Sequence, residues 1–98
     1  MLSKIFRAPD AKERAALEDL AVQLEKLGDE RDAALVQNVV YEVGKTHGFE
    51  PLRAWFAALY EVLLGQAQGP RFGSFAALFG CPQTAAMIRQ ALAGDILK

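Results

Sequence analysis

A single arginine stands in a loop rich in glycine and proline, in the segment Gly69-Pro70-Arg71-Phe72-Gly73. Gly69 permits a positive φ, Pro70 fixes its own φ, and Gly73 allows another backbone to approach closely. Such a loop would hold the guanidinium in a preset position. A guanidinium binds phosphates and base edges, so we predict an RNA contact at Arg71. The alternative is a surface arginine that hydrogen-bonds helix-end carbonyls.

The sequence around this loop is basic and aromatic, although the formal net charge of the whole chain is −1. Residues 62–94 contain two cations and no acid. Proteins bind single-stranded RNA with cations and with aromatic or guanidinium planes on which unstacked bases lie. The window therefore predicts a local RNA-binding surface. Its predicted contact residues are Gly69, Pro70, Arg71, Phe72 and Arg89.

Two more aromatic residues follow the loop. Phe75 and Phe79 are spaced i, i+4, which places them on the same side of a helix. We predict that both lie in the core, whereas Phe72 fits either the core or the RNA-binding surface.

Catalytic and metal-binding patterns are sparse in this sequence. The chain has one histidine, His47, and one cysteine, Cys81, so it offers no histidine pair for a metal and no internal disulfide. The two residues could form a nucleophilic pair, but no third group that would orient them is apparent, and Cys81 is better explained as a small buried residue. The glycines of the loop lack the Gly-Lys-Ser/Thr ending of a P-loop. We predict neither a catalytic residue nor a bound metal.

Two amphipathic helices are predicted in the first half of the chain, where apolar residues recur at helical spacing. Asp10 is the predicted N-cap of the first helix, with Glu13 three residues later in a capping-box arrangement, and Gly28 ends this helix. Asp29 is predicted to cap the second helix, which ends at residues 47–48.

Three further helices are predicted in the second half. The third begins at residues 50–51 and ends at Gly65, a short fourth is capped by Ser74 and ends at Gly80, and the last begins at residues 81–82. The strongest apolar stripe of the chain lies on the third helix, and its members other than Tyr60 should be the most buried residues of the fold. This stripe comprises Leu52, Trp55, Phe56, Leu59, Tyr60 and Leu63.

No strand alternation and no hairpin signal occur, so the predicted fold is all-α, a compact bundle of about five helices. A chain of 98 residues fits one small domain. Residues 10–98 are predicted to form this domain and residues 1–9 a flexible arm or linker. The sequence has no apolar run long enough for a membrane span, no apolar signal core and a single cysteine, which together predict a cytoplasmic location.

The order of aromatic residues, leucines and glycines in FAALYEVLLGQAQGPRFGSFAALFG, residues 56–80, resembles the C-terminal end of class I lysyl-tRNA synthetases, the type that carries a HIGH motif. The preceding VQNVVYEVGKTHGFEPLRAW, residues 36–55, and the following CPQTAAMIRQAL, residues 81–92, fit the same region. The resemblance covers roughly residues 10–94. Its most specific part runs from Tyr60 through the Gly-Pro-Arg-Phe-Gly-Ser-Phe segment.

The resemblance implies a helical anticodon-binding domain within an enzyme that attaches lysine to tRNA with ATP. It implies two partners, which are the anticodon loop of a lysine tRNA and the catalytic Rossmann domain of the same enzyme. It implies neither a membrane nor DNA as a partner. Under this interpretation Arg71 contacts an anticodon base or phosphate.

The sequence lacks the family motifs that adenylate formation requires. It has no HIGH-like ATP motif and no KMSKS-like loop, so this chain alone is not expected to be catalytic. No cofactor is expected in it, and ATP would bind elsewhere in the parent enzyme.

Two other interpretations stay open. One is a glutamyl-type or stand-alone helical tRNA-binding domain, and the other is a protein–protein interaction domain with an exposed stripe of Trp55, Phe56 and Tyr60.

Overall fold

The computed structural model describes residues 9–65, 69 and 71–93 of the chain. Within these residues no strand occurs, and the predicted all-α bundle of about five helices is confirmed. A π-helical segment continues the third helix. The elements are α1 (Ala11–Leu27), α2 (Ala33–Thr46), α3 (Leu52–Leu59), the π-helical segment (Tyr60–Leu64), α4 (Phe72–Phe79) and α5 (Cys81–Leu92). The predicted arm at residues 1–9 falls almost wholly outside the described residues and stays a prediction.

The start of α1 is fixed by reciprocal hydrogen bonds. The backbone N–H of Glu13 donates to Oδ1 of Asp10 at 2.8 Å, and the N–H of Asp10 donates to Oε1 of Glu13 at 3.0 Å. This capping box was predicted and is confirmed.

The predicted cap at Asp29 is wrong, because the chain continues beyond Gly28 in a turn and α2 begins only after Asp32. The carboxylate of Asp32 accepts the first N–H groups of α2 instead.

The predicted stripe on the third helix is partly buried. Trp55 and Leu59 are fully buried and Leu63 nearly so, whereas the remaining members, Leu52, Phe56 and Tyr60, are only partly covered. The helix ends at Gly65, as predicted. Because Trp55 has no exposed surface, it cannot anchor a partner protein. The interaction-domain interpretation based on an exposed Trp55 stripe is therefore wrong.

The start of α4 depends on a distant residue of the chain. Ser74 was predicted to cap this helix, but α4 begins two residues earlier, at Phe72. The backbone N–H of Gly73 donates to Oε1 of Gln37 at 2.6 Å in the buried interior. A side chain of α2 therefore satisfies an N–H group of the first turn of α4, a role that a local cap would otherwise fill.

Two helix pairs account for most of the packing, α1 against α5 and α2 against α4. The crossing of α2 and α4 is close because Gly73 has no side chain. A Cβ at Gly73 would lie 2.5 Å from Cβ of Gln37 and 2.6 Å from its backbone nitrogen. The close backbone approach predicted at Gly73 therefore occurs, and the approaching segment is α2.

We expect Gly73→Ala to destabilise the fold by about 1–3 kcal/mol, the usual cost of overpacking. The clash involves backbone as well as side chain, so rotation of Gln37 cannot relieve it. Alanine gains about 0.5–1 kcal/mol of helix preference over glycine, which offsets only part of this cost. The matched control is Ser74→Ala, because Ser74 is exposed on the same helix. Equal thermal midpoints for the glycine variant and the parent chain would contradict the close crossing.

Candidate nucleic-acid interface

Arg71 precedes α4 directly and is exposed. Its backbone carbonyl accepts the N–H of Phe75 at 3.0 Å and so starts the helix. Within the described part of the chain, its guanidinium forms no hydrogen bond or ion pair. The alternative of a helix-end carbonyl cap is therefore not seen in these residues. A cation at the N-terminus of a helix also opposes the helix dipole, so its position is not explained by the stability of α4.

The exposed face of α4 is largely apolar. Leu78 is 86% exposed and Phe79 is 49% exposed, while Ser74 lies on the same side of the helix nearer to Arg71. The prediction that Phe79 lies in the core is therefore wrong, and Phe75 is only half-buried. The buried face of α4 consists of Phe72, Gly73, Ala76 and Ala77.

Phe72 was predicted as an RNA contact and is fully buried. It is the first residue of α4, and its neighbour Gly73 is pressed against α2, so the Phe72 side chain enters the core. Its ring centroid lies 5.8 Å from that of Phe75. A base cannot stack on a ring without exposed surface. Phe72 therefore supports the position of α4 and is not part of an exposed RNA-binding surface.

Arg31 is a cation that sequence analysis missed. It lies in the loop before α2 and is exposed, and it lines a shallow groove of about 280 Å³ together with Ser74 and Leu78. Arg31 forms no ion pair within the described residues. In the sequence Arg31 is flanked by acidic residues, so it was not predicted as a candidate RNA contact. Two of these acids, Glu30 and Asp32, accept backbone N–H groups of their own loop and helix.

Arg89 was predicted as an RNA contact because no acid is near it in the sequence. In the structure its Nε and Nη2 donate to the two carboxylate oxygens of Glu25, each at 2.8 Å. The hydrogen bond from Arg89 lowers the pKa of the Glu25 carboxyl below its usual value. Because α1 packs along α5, an acid 64 residues away in the sequence already balances this cation. Arg89 is therefore not the unpaired cation that its sequence window indicated.

Of the two remaining predicted contact residues, only Gly69 is among the described residues. Gly69 is exposed, and a Cβ there would lie 3.3 Å from the ring of Tyr60. Pro70 lies outside the described residues, so its role stays a prediction. Taken together, Ser74 and Leu78 of α4 line one groove with Arg31, while Arg71 directly precedes α4 and Phe79 ends it, and both are exposed. We call these five residues the α4 surface.

The two residues considered for nucleophilic chemistry have separate surroundings. Nε2 of His47 lies 3.0 Å from Oδ2 of Asp19, whereas Sγ of Cys81 faces the backbone oxygen of Glu30. Cys81 is buried, as predicted, and burial together with the nearby Glu30 charge raises the pKa of its thiol. A raised pKa disfavours the thiolate that a nucleophile needs.

The described residues form neither a metal-binding cluster nor a membrane-spanning helix. No group of three or more histidine, cysteine, aspartate or glutamate residues is placed to hold a metal ion. None of the helices in this part of the chain combines the length and the apolar character that a membrane span requires.

Comparison with known proteins gives a consistent set of relatives. The chain is 52% identical over 94 residues to the lysine–tRNA ligase of Roseobacter denitrificans, covering 96% of this chain and 18% of that protein. It is 36% identical over 85 residues to the lysine–tRNA ligase of Rickettsia felis, covering 87% of this chain and 16% of that protein. The ligase of Rickettsia conorii is 39% identical over 77 residues, which are 79% of this chain and 15% of that protein.

No family model and no solved structure matches the chain. The matched relatives carry one name and are much longer than this chain, which spans only 15–18% of their length. Since the match to the Roseobacter denitrificans protein includes almost every residue from end to end, the chain is homologous to a segment of lysine–tRNA ligases.

Proposed function

We propose that this chain is the tRNA anticodon-binding module of a class I lysyl-tRNA synthetase. The observation that carries the proposal is the exposed Arg71 guanidinium, which has no partner in the described residues and lies at the start of α4. The relatives named lysine–tRNA ligase support tRNA as the ligand. The class I assignment rests on the resemblance of residues 56–80.

The surroundings of Arg71 suit an anionic or base ligand. Helix N-termini favour anions, because the helix dipole is positive there. A phosphate bound beside Arg71 would gain from both the guanidinium and the end of α4. The same guanidinium can donate two hydrogen bonds to a base edge. Arg31 adds a second exposed cation on the same α4 surface.

The domain alone should bind RNA weakly. Phosphate contacts supply much of the affinity for nucleic acids, and the α4 surface contains only two arginines. The acids of α1 and α2 give the groove between these helices a negative lining, including Asp19 and Glu42, so RNA should not bind there. In the proposed enzyme, lysine activation with ATP takes place in a Rossmann domain, and that domain also supplies most of the tRNA affinity.

The proposal predicts that the chain binds an anticodon stem-loop of lysine tRNA with a Kd in the micromolar range or weaker. Titration at several salt concentrations, followed by fluorescence anisotropy, measures this. If Arg31 and Arg71 supply the phosphate contacts, the plot of log K against log salt should have a slope between about −0.7 and −1.4, since each single-strand contact contributes about −0.7.

A stem-loop with a swapped anticodon is the control for this titration. The lysine anticodon should bind more tightly, because base contacts carry the sequence information. Equal binding of both stem-loops would contradict anticodon recognition, and failure to bind either one at low salt would contradict RNA binding by this chain.

A further inference from the structure

Three phenylalanine rings form a continuous column from the core to the surface of α4. The ring centroids of Phe72 and Phe75 lie 5.8 Å apart, and those of Phe75 and Phe79 lie 5.3 Å apart with the last two rings nearly parallel, at 18°. Phe72 is fully buried, and Phe79 is 49% exposed. The inner side of the Phe79 ring is thus covered by Phe75, and its exposed area lies on the side away from the column.

Nothing in the described fold explains why Phe79, at the outer end of this column, is exposed. Large apolar side chains on adjacent positions of one helix rarely stand in water without a partner, and Leu78 beside Phe79 is 86% exposed. The residues that accompany them are cationic. Arg71 lies seven residues before Leu78, which places it on the same side of α4 at about 10 Å along the axis. Arg31, in the loop before α2, lines a groove with Ser74 and Leu78.

We propose that Phe79 is a stacking residue for one unpaired base of single-stranded RNA, and that Arg71 and Arg31, which both lie on the Leu78 side of it, contact phosphates or base edges of the neighbouring nucleotides. This inference rests on the proposed function and identifies which side chain holds the base. The bound base would become the fourth ring of the column, parallel to Phe79. The offset-stacked geometry that already joins Phe75 to Phe79 is the arrangement that aromatic rings prefer.

Charge favours RNA over a protein partner for this surface. An apolar protein segment packed on Leu78 and Phe79 would remove water from two arginines that have no carboxylate partner in the described residues, and unpaired buried charge is costly. Single-stranded RNA is a polyanion with aromatic bases, so its phosphates can pair with the arginines while a base covers the exposed apolar side chains. Cationic grooves with exposed aromatic rings are the usual way in which proteins hold single-stranded nucleic acids.

The test uses the chain and anticodon stem-loops of lysine tRNA that carry 2-aminopurine at one unpaired loop position at a time. Stacking on an aromatic ring quenches this fluorescent base, so the parent chain should quench it at one position. Phe79→Ala should weaken binding roughly 5- to 150-fold, the range for loss of one base stack. Phe79→Leu should weaken it similarly because it keeps apolar surface but loses the ring. Phe79→Trp should keep both affinity and quenching.

Val22→Ala is the matched control, since Val22 is an exposed apolar residue of α1 that lies outside the α4 surface, and it should leave binding within twofold. Parent-like binding by Phe79→Ala, with binding still weakened in Arg71→Ala, would overturn the stacking role and leave the proposed function standing. Parent-like binding by Phe79→Leu would also overturn it. Equal losses in Val22→Ala and Phe79→Ala, or a loss in Phe79→Ala with no quenching by the parent chain, would also overturn the stacking role. Failure of the parent chain to bind any stem-loop would overturn both proposals.

Discussion

Replacing Trp55 by alanine should destabilise the domain by about 3–5 kcal/mol, the largest stability effect we expect from any single change in this chain. The ring is fully buried, so its removal deletes apolar contacts and leaves a cavity. Its Nε1 donates to the backbone oxygen of Val40 at 2.9 Å, and the variant leaves that buried oxygen without this donor. Phe49 also loses its neighbour, since the two ring centroids lie 5.1 Å apart.

The surroundings of Trp55 cannot collapse easily into the space it leaves. A Cβ on Gly44 would lie 2.5 Å from Cδ1 of Trp55, so the ring lies directly against the backbone of α2. Rigid helix backbone relaxes less than a side chain does, which places the expected cost in the upper part of the range. Domains of this size have total stabilities of about 5–15 kcal/mol, so Trp55→Ala should leave a marginal or partly unfolded chain.

Urea unfolding followed by circular dichroism measures this effect. Trp55→Phe should lie between the parent and the alanine variant, because it keeps a ring but loses the hydrogen bond to Val40. Arg53→Ala is the control, since Arg53 is exposed on the same helix and its change should stay within about 0.5 kcal/mol. An unfolding midpoint of Trp55→Ala equal to that of the parent would mean that this side chain does not form the core of the third helix.

Helix order and most helix ends were predictable because their signals are local. The capping box of Asp10 and Glu13 involves residues three positions apart, and the glycines at 28, 65 and 80 end helices through their own backbone geometry. The apolar spacing that placed Trp55 and Leu59 in the core acts within one helix. Such features depend on neighbours in the chain, which the sequence lists directly.

The errors concern contacts between distant segments. Arg89 pairs with Glu25 across 64 residues, and Gly73 meets Gln37 across 36. The spacing of Phe75 and Phe79 shows that they share one side of α4 but not whether that side is buried. The bond to Gln37 sets the rotation of α4, and with it the exposure of Phe79. Arg31 lies beside α4 because α2 and α4 pack together. This too is a contact between distant segments.

Arg71→Ala should change RNA recognition without changing the fold. Arg71 is exposed and its side chain has no partner in the described residues, so the unfolding free energy should stay within about 0.5 kcal/mol of the parent. In a full-length ligase that carries this segment, lysine activation measured by ATP–pyrophosphate exchange should be unaffected. The kcat/KM for tRNA should fall roughly 5- to 150-fold, which corresponds to the loss of one base contact of about 1–3 kcal/mol.

Arg89→Ala is the matched control for this experiment, because Arg89 is also a half-exposed arginine but is already paired with Glu25. Its kcat/KM for tRNA should stay within about twofold of the parent value. Aminoacylation of wild-type and anticodon-swapped tRNA then separates two kinds of contact. If Arg71 binds a base, the alanine variant narrows the difference between the two tRNAs. If Arg71 binds only a phosphate, both tRNAs lose activity equally and the salt dependence becomes shallower. Kinetics identical to the parent on both tRNAs would show that the exposed guanidinium has no part in recognition.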